Sequence, residues 1–357
     1  MFELKPDYEK AQARMNAFWD FAETDRPLVH IAFPKPNQEA FEKKSHQSSK
    51  ELWLDIEYRV EMHINRMENT VFYGEAMPVF FPNLGPNILS AWAGCSNTYE
   101  DVTVWTAPCI FDWETDGPNA IIDQNHTLYK KMDAYTRLVL EKAKGRFIVG
   151  LTDLQPGGSH LAALRGPETL AMDLLENPEK VKAKIASSYL EYYPIFDYYR
   201  GLLKEANQPI STWLPLTSET SMYIPQNDFS CMISPAMFEE FFLEGIAQEC
   251  RHYGQSIYHL DGPGALKHLD ALLEIPELNA IQWVPGAGQE DVAPWIDVYK
   301  KIHAAGKSVF IYMYNPSDLK LLMENIPARG TGVEIVGVKN EEEAKDIMKI
   351  IETWHKK

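Results

Sequence analysis

Four short runs near the C-terminus decide the fold: Ser256-Ile-Tyr-His-Leu260, Ala280-Ile-Gln-Trp-Val284, Ser308-Val-Phe-Ile-Tyr-Met313 and Gly332-Val-Glu-Ile-Val336. Each is rich in β-branched or aromatic residues, and their starts lie 24 to 28 residues apart, which suits one strand and one helix per unit. Strands joined in this way run parallel. The helix after the second run begins at Asp291 and places Val292, Trp295, Ile296, Tyr299 and Ile302 on one face, then stops at Gly306. In the last helix Asn340 is the cap and Glu341, Glu342 and Glu343 occupy the positive first turn. Ala344, Ile347, Met348, Ile351 and Trp354 form its apolar stripe, and Lys356 and Lys357 close it.

Working outward, the same alternation predicts strands at 28–33, 77–81, 147–152, 211–214 and 229–233. Helices are expected at 50–69, 126–144, 178–205 and 235–253, the third opening with Asn177 and Pro178 and interrupted by Pro194. Nine strands exceed by one the eight of a closed barrel, so one is accessory or a loop. The expectation is an α/β protein built as a (β/α)8 TIM barrel, one domain over residues 1–357. It carries an N-terminal helical extension and a Trp-rich insertion at 92–113 covering one mouth.

A chain of 357 residues with 45% hydrophobic and 24% charged residues has a globular composition. With 34 basic against 51 acidic residues the net charge is −17, a field that repels polyanions and argues against a nucleic-acid partner. No apolar run approaches the roughly 20 residues that cross a bilayer, and the first ten residues are charged where a signal peptide is apolar. A cytoplasmic protein with no membrane partner is expected. Cys95, Cys109, Cys231 and Cys250 form no Cys-x-x-Cys, which points to reduced, mostly buried thiols.

In such a fold chemistry sits just after the strands. That criterion selects Asn83, Asp153, Gln155, Glu219, Asp228, His259, Asp261, Trp283, Tyr312, Tyr314 and Glu334. His259 and Asp261 come first, because residues two apart on a strand share a face, and a His-x-Asp pair can ligate a divalent metal, move a proton or simply brace a loop. Gly262-Pro263-Gly264 follows, leaving backbone room for a ligand. Trp213, Tyr223, Tyr258, Trp283, Tyr312 and Tyr314 offer rings at strand ends, either as a platform for a ring, sugar or methylated ammonium or as plain core. Trp283, ahead of the Pro285-Gly286 turn, is the aromatic favoured for the site.

The segment Asp228-Phe-Ser-Cys-Met-Ile-Ser-Pro-Ala-Met-Phe-Glu-Glu-Phe241, followed by Tyr258-His-Leu-Asp-Gly262 and Asn315-Pro316, resembles the uroporphyrinogen decarboxylase superfamily. Within it, the likeness is to the corrinoid-dependent methyltransferases and their uncharacterised relatives. It runs from about Thr217 to the C-terminus, with looser matches at Asn83-Leu-Gly-Pro86 and from Thr152 to Gly166. The resemblance implies a (β/α)8 barrel. Decarboxylases of this superfamily carry an Arg-rich motif after the first strand, where this chain reads Phe33-Pro-Lys-Pro-Asn37. The methyltransferases hold zinc with His-x-Cys and a distant Cys. Here His259 matches, Asp261 replaces the first Cys, and Glu334-Ile-Val-Gly-Val338 supplies no second.

The resemblance therefore implies a methyltransferase-type enzyme linked to cobalamin and acting on a small methylated or aromatic substrate. A non-thiolate Zn2+ site at His259 and Asp261, completed by Glu219 or Glu334, would assist it. Asn83, Asp153, Gln155, Trp213, Tyr223, Trp283, Tyr312 and Tyr314 would bind substrate, with Glu219, Asp228 and Asp261 as the acidic catalytic groups. The chain has no Asp-x-His-x-x-Gly segment, so the corrinoid would arrive on a separate protein. The alternatives are a decarboxylase, a glycoside-processing barrel using Glu219 and Glu334, and a barrel that binds a corrinoid or small molecule without turnover.

Overall fold

The C-terminal rhythm is what the computed structural model contains. Residues 2–354 are described, so the closing Lys356 and Lys357 lie outside the described residues. The strands are β1 (Leu28–Pro34), β2 (Thr70–Gly74), β3 (Val79–Phe80), β4 (Ser96–Tyr99), β5 (Val104–Ala107), β6 (Ile148–Val149), β7 (Met222–Tyr223), β8 (Gln255–Asp261), β9 (Ala280–Val284), β10 (Ser308–Met313) and β11 (Thr331–Ile335). Seven form one sheet in the order β2-β1-β11-β10-β9-β8-β7. Its neighbours are parallel except for β2, which returns antiparallel along β1. β3 and β6 form a separate parallel pair, continued by Gly150 N donating to Phe80 O and Leu151 N to Ser211 O.

Two predicted strands are absent. Residues 229–233 fall mostly in a 3-10 helix, Asp228–Met232, because Phe229 and Ser230 are buried against other elements rather than alternating across a pleat. At 211–214 the chain is irregular apart from an antiparallel bridge between Ile210 and Ser218. On the side away from β9, β8 pairs instead with β7, which the sequence reading passed over. The predicted helix at 50–69 is two helices, Ser49–Leu54 and Ile56–Glu68, separated by Asp55, whose carboxylate accepts from Tyr58 N and starts the second. The insertion is an antiparallel ribbon, β4 with β5, flanked by Cys95 and Cys109, whose sulfurs come to 3.4 Å as free thiols. Cys231 is exposed.

The N-terminal helix, Tyr8–Trp19, packs where β8 to β10 begin. Asn279, just before β9, donates to Trp19 O, and Ser308, the first residue of β10, donates to Phe18 O. Buried apolar residues from all these elements form one cluster. No helix among the described residues is long and apolar enough to cross a membrane.

The last helix, Glu341–Ile351, follows its sequence pattern closely. Asn340 accepts from Glu343 N at 3.0 Å, the apolar stripe is buried, and the Trp354 indole N–H donates to Ile326 O. Removing the cap leaves a first-turn amide without its side-chain partner. Asn340→Ala is expected to lower the unfolding free energy by about 1 kcal/mol, read from urea denaturation midpoints at constant slope.

Candidate functional site

Period-two alternation on β8 separates its residues cleanly. Tyr258 and Leu260 are buried on one face, while His259 and Asp261 share the other and remain accessible. Gly262 follows with φ +76°, a conformation that glycine adopts without cost, and its N–H donates to Val284 O. The loop after β7 brings a third group. Asp228 opens its 3-10 helix with its amide donating to Ser159 Oγ at 3.2 Å, at the start of the helix Gly157–Arg165. Two residues on, Ser230 O accepts from His268 Nε2 at 2.8 Å, so the loops after β7 and β8 brace each other.

The result is that one oxygen of Asp228, one ring nitrogen of His259 and one oxygen of Asp261 lie within 4.8 Å of one another. Asp228 touches solvent, yet its carboxyl pKa is raised. Displacement of water by the surrounding protein is the main cause; Asp261 adds to it and His259 opposes it. Two carboxylates and an imidazole at this separation suit a divalent ion in an N/O site. Bonds of about 2.0–2.2 Å place ligand atoms about 3.4 Å apart, so the three need only draw together slightly.

The same inward face continues across the sheet. His259 pairs in register with Gln282, Tyr312 with Glu334, and Glu334 with His30. His259 Nδ1 lies 2.6 Å from Gln282 Oε1, and Gln282 Nε2 donates to the Tyr312 hydroxyl at 2.7 Å. Glu334 is pushed up to about 7 by burial, and the Tyr312 and Tyr314 hydroxyls are raised by burial first and by Glu334 second. On the other side of His259, Trp213 stands edge-on to the imidazole at 5.3 Å, and Gln226 bridges to His259 through the backbone. Asp153 accepts from Gln155 at 2.9 Å and from Gln226 at 3.4 Å, and is pushed up to about 7 by burial and by Asp228.

The structure thus gathers Asp228, His259 and Asp261, with Trp213 against His259 and Asp153 and Gln155 beside Asp228. Tyr312, Tyr314 and Glu334 lie further along the inward face, so Glu334 is not the third member of the histidine cluster; Asp228 is.

Four expectations need correction. Glu219 precedes β7 and lies at the opposite end, beside Tyr8 of the N-terminal helix, so it can neither complete the cluster nor face Glu334 across a substrate bond. Trp283 alternates with Gln282 and points to the outer face against Trp295. Tyr223 is buried, its hydroxyl donating to Thr152 O and accepting from Leu154 N, both at 2.6 Å; it holds the Asp153 loop rather than a substrate. The Asn83 side chain closes its own turn by accepting from Gly85 N. Sequence reading missed Gln282, Gln226 and His30, whose inward placement the alternation from His259 and Glu334 would have revealed once register was known. His30 is buried with neither ring nitrogen partnered.

No protein-family model matches the sequence, and no curated protein matches it. Among solved structures, one described as a methyltransferase from Methanosarcina mazei has a TM-score of 0.60 and 10% sequence identity, covering 99% of this chain and 100% of that one. At that identity the two share a fold.

Asp153 and Glu334 near 7, and the fully enclosed Glu249 at about 8, hold protons in the folded state at pH values where the unfolded chain has lost them. Stability from these groups is complete below about pH 4 and falls as pH rises through 7 to 8. Urea unfolding across that range is expected to show this decline, and Glu249→Gln should flatten its upper part.

Proposed function

We propose that this chain is a metal-assisted methyltransferase-type enzyme, built as a single (β/α)8 barrel of the uroporphyrinogen decarboxylase type. It would act in the cytoplasm on a small methylated or aromatic substrate, with a corrinoid delivered by a separate protein. The observation that carries the reading is the convergence of Asp228, His259 and Asp261 to within 4.8 Å at the C-terminal edge of parallel strands. The fold shared with a structure described as a methyltransferase and the His259 match to the superfamily's ligand position support it.

The three residues would hold a zinc-class divalent ion through one nitrogen and two carboxylate oxygens, leaving coordination positions open. Bound there, the ion supplies Lewis acidity toward a heteroatom of the methyl donor or acceptor. The chain's own groups do the rest. Trp213 walls the His259 side. Asp153 carries a proton near neutrality within the field of Asp228, a store that a departing or arriving anionic group could draw on. Tyr312 and Glu334 present polar atoms to the far end of a bound molecule.

The test is metal content together with methyl transfer. Protein purified without chelator and dialysed against Zn2+ is expected to retain about one equivalent by elemental analysis. His259→Ala should lose it while still unfolding in one cooperative transition, at a temperature lowered only by the lost contact with Gln282. Methylcobalamin supplied with small thiol or phenol acceptors should be demethylated by the wild type and not by His259→Ala. A protein that takes up no metal and gives the same result in both forms overturns the reading; zinc retained without transfer leaves a binding protein.

A further inference from the structure

The inward row contains one group that links a cluster histidine to a tyrosine. Gln282 is fully buried on β9, with an acceptor at one end of its amide and a donor at the other, and both are used. Its oxygen lies 2.6 Å from His259 Nδ1, which makes that nitrogen the N–H donor and leaves Nε2 with the free lone pair. Its NH2 donates to the Tyr312 oxygen at 2.7 Å, so the Tyr312 proton is directed elsewhere. The reversed amide would also be satisfied, its NH2 donating to an Nδ1 lone pair and its oxygen accepting from the Tyr312 hydroxyl, so the orientation of this amide and the tautomer of His259 are set together. A buried glutamine is costly to leave unsatisfied, and here the two partners that satisfy it are a cluster histidine and an inward tyrosine.

We propose that Gln282 is the positioning residue of the site: it acts through His259, holding the imidazole as the Nδ1–H tautomer with Nε2 presented to the space between Asp228 and Asp261. Tyr312 is the second half of the device, its oxygen accepting from the Gln282 NH2 in this orientation. Without this clamp the two carboxylates would favour a ring that donates from Nε2, which removes the lone pair a metal needs. The inference rests on the metal reading for its consequence but not for its geometry, and the two can fail separately.

Zinc affinity measured by competition with a chromophoric chelator tests it on four proteins. Relative to wild type, Gln282→Leu is expected to bind about 10- to 100-fold more weakly. Gln282→Glu, which still accepts from Nδ1–H, should bind at least as tightly as wild type. Tyr312→Phe should lose affinity by less than Gln282→Leu. Equal affinity in Gln282→Leu and wild type, or a Glu variant as weak as the Leu variant, overturns the proposal, since a purely structural role would not distinguish the two replacements in this way. The second readout needs no metal. In the nitrogen-15 resolved proton spectrum of the apoprotein, with His259→Gln identifying the signal, the His259 Nδ1 proton should be protected from exchange and should disappear in Gln282→Leu. If the wild type binds no zinc, the metal reading fails and this signal decides the inference: a protected Nδ1 proton sustains it, and a ring protonated only at Nε2 overturns it.

Discussion

The parallel register of β8 to β11 is the constraint on which the site depends. It lines up His259, Gln282, Tyr312 and Glu334 on the inward face while Leu260, Trp283 and Ile311 fill the outer one. A slip of one residue on any strand would exchange these sets, burying carboxyl and imidazole groups among helices and exposing tryptophan. The helix Tyr8–Trp19 helps to hold that register from below through the Asn279 and Ser308 contacts. The end opposite the cluster is thus a structural end, and it is where Glu219 lies.

Among the described residues, no lysine or arginine acts on the inward acids Asp153, Asp228 and Glu334. The charged groups that act on Asp153 and Asp228 are other carboxylates and His259, and Glu334 is shifted by burial alone. A group of acids with no counter-charge either stays protonated or takes up a cation. Asp153 and Glu334 follow the first course, with pKa values near neutrality, while Asp228 and Asp261, open to solvent beside a histidine, are placed for the second. With one nitrogen and two carboxylate oxygens, the candidate centre is harder in character than a thiolate site, a donor set that suits zinc with oxygen ligands and also other divalent ions of similar preference.

Loops supply what the strands cannot. Asp228 is positioned by an amide contact to Ser159 and by the bracing of residues 228–232 against the segment after β8. Asp153 is positioned by Tyr223, a buried ring whose hydroxyl stitches the backbone of Thr152 and Leu154. Both acids therefore depend on contacts outside the cluster, and a substitution at Tyr223 would move Asp153 without touching the cluster itself.

The sequence by itself determined the alternating strands and helices of the last hundred residues, the cap and stripe of the final helix, and the shared face of His259 and Asp261. All of these are local, following from periodicities of two and 3.6 and from end signals that each segment carries within itself. Tertiary structure alone decided which face was inward, and so turned Trp283 outward and Gln282 inward although both stand on one strand. It decided that the third member of the cluster is Asp228 rather than Glu219 or Glu334, because distance across a fold depends on the pairing of β7 with β8, and the two-residue β7 leaves almost no periodic signal. Partnership between a glutamine and a histidine 23 positions apart is a property of strand register, which no single segment encodes.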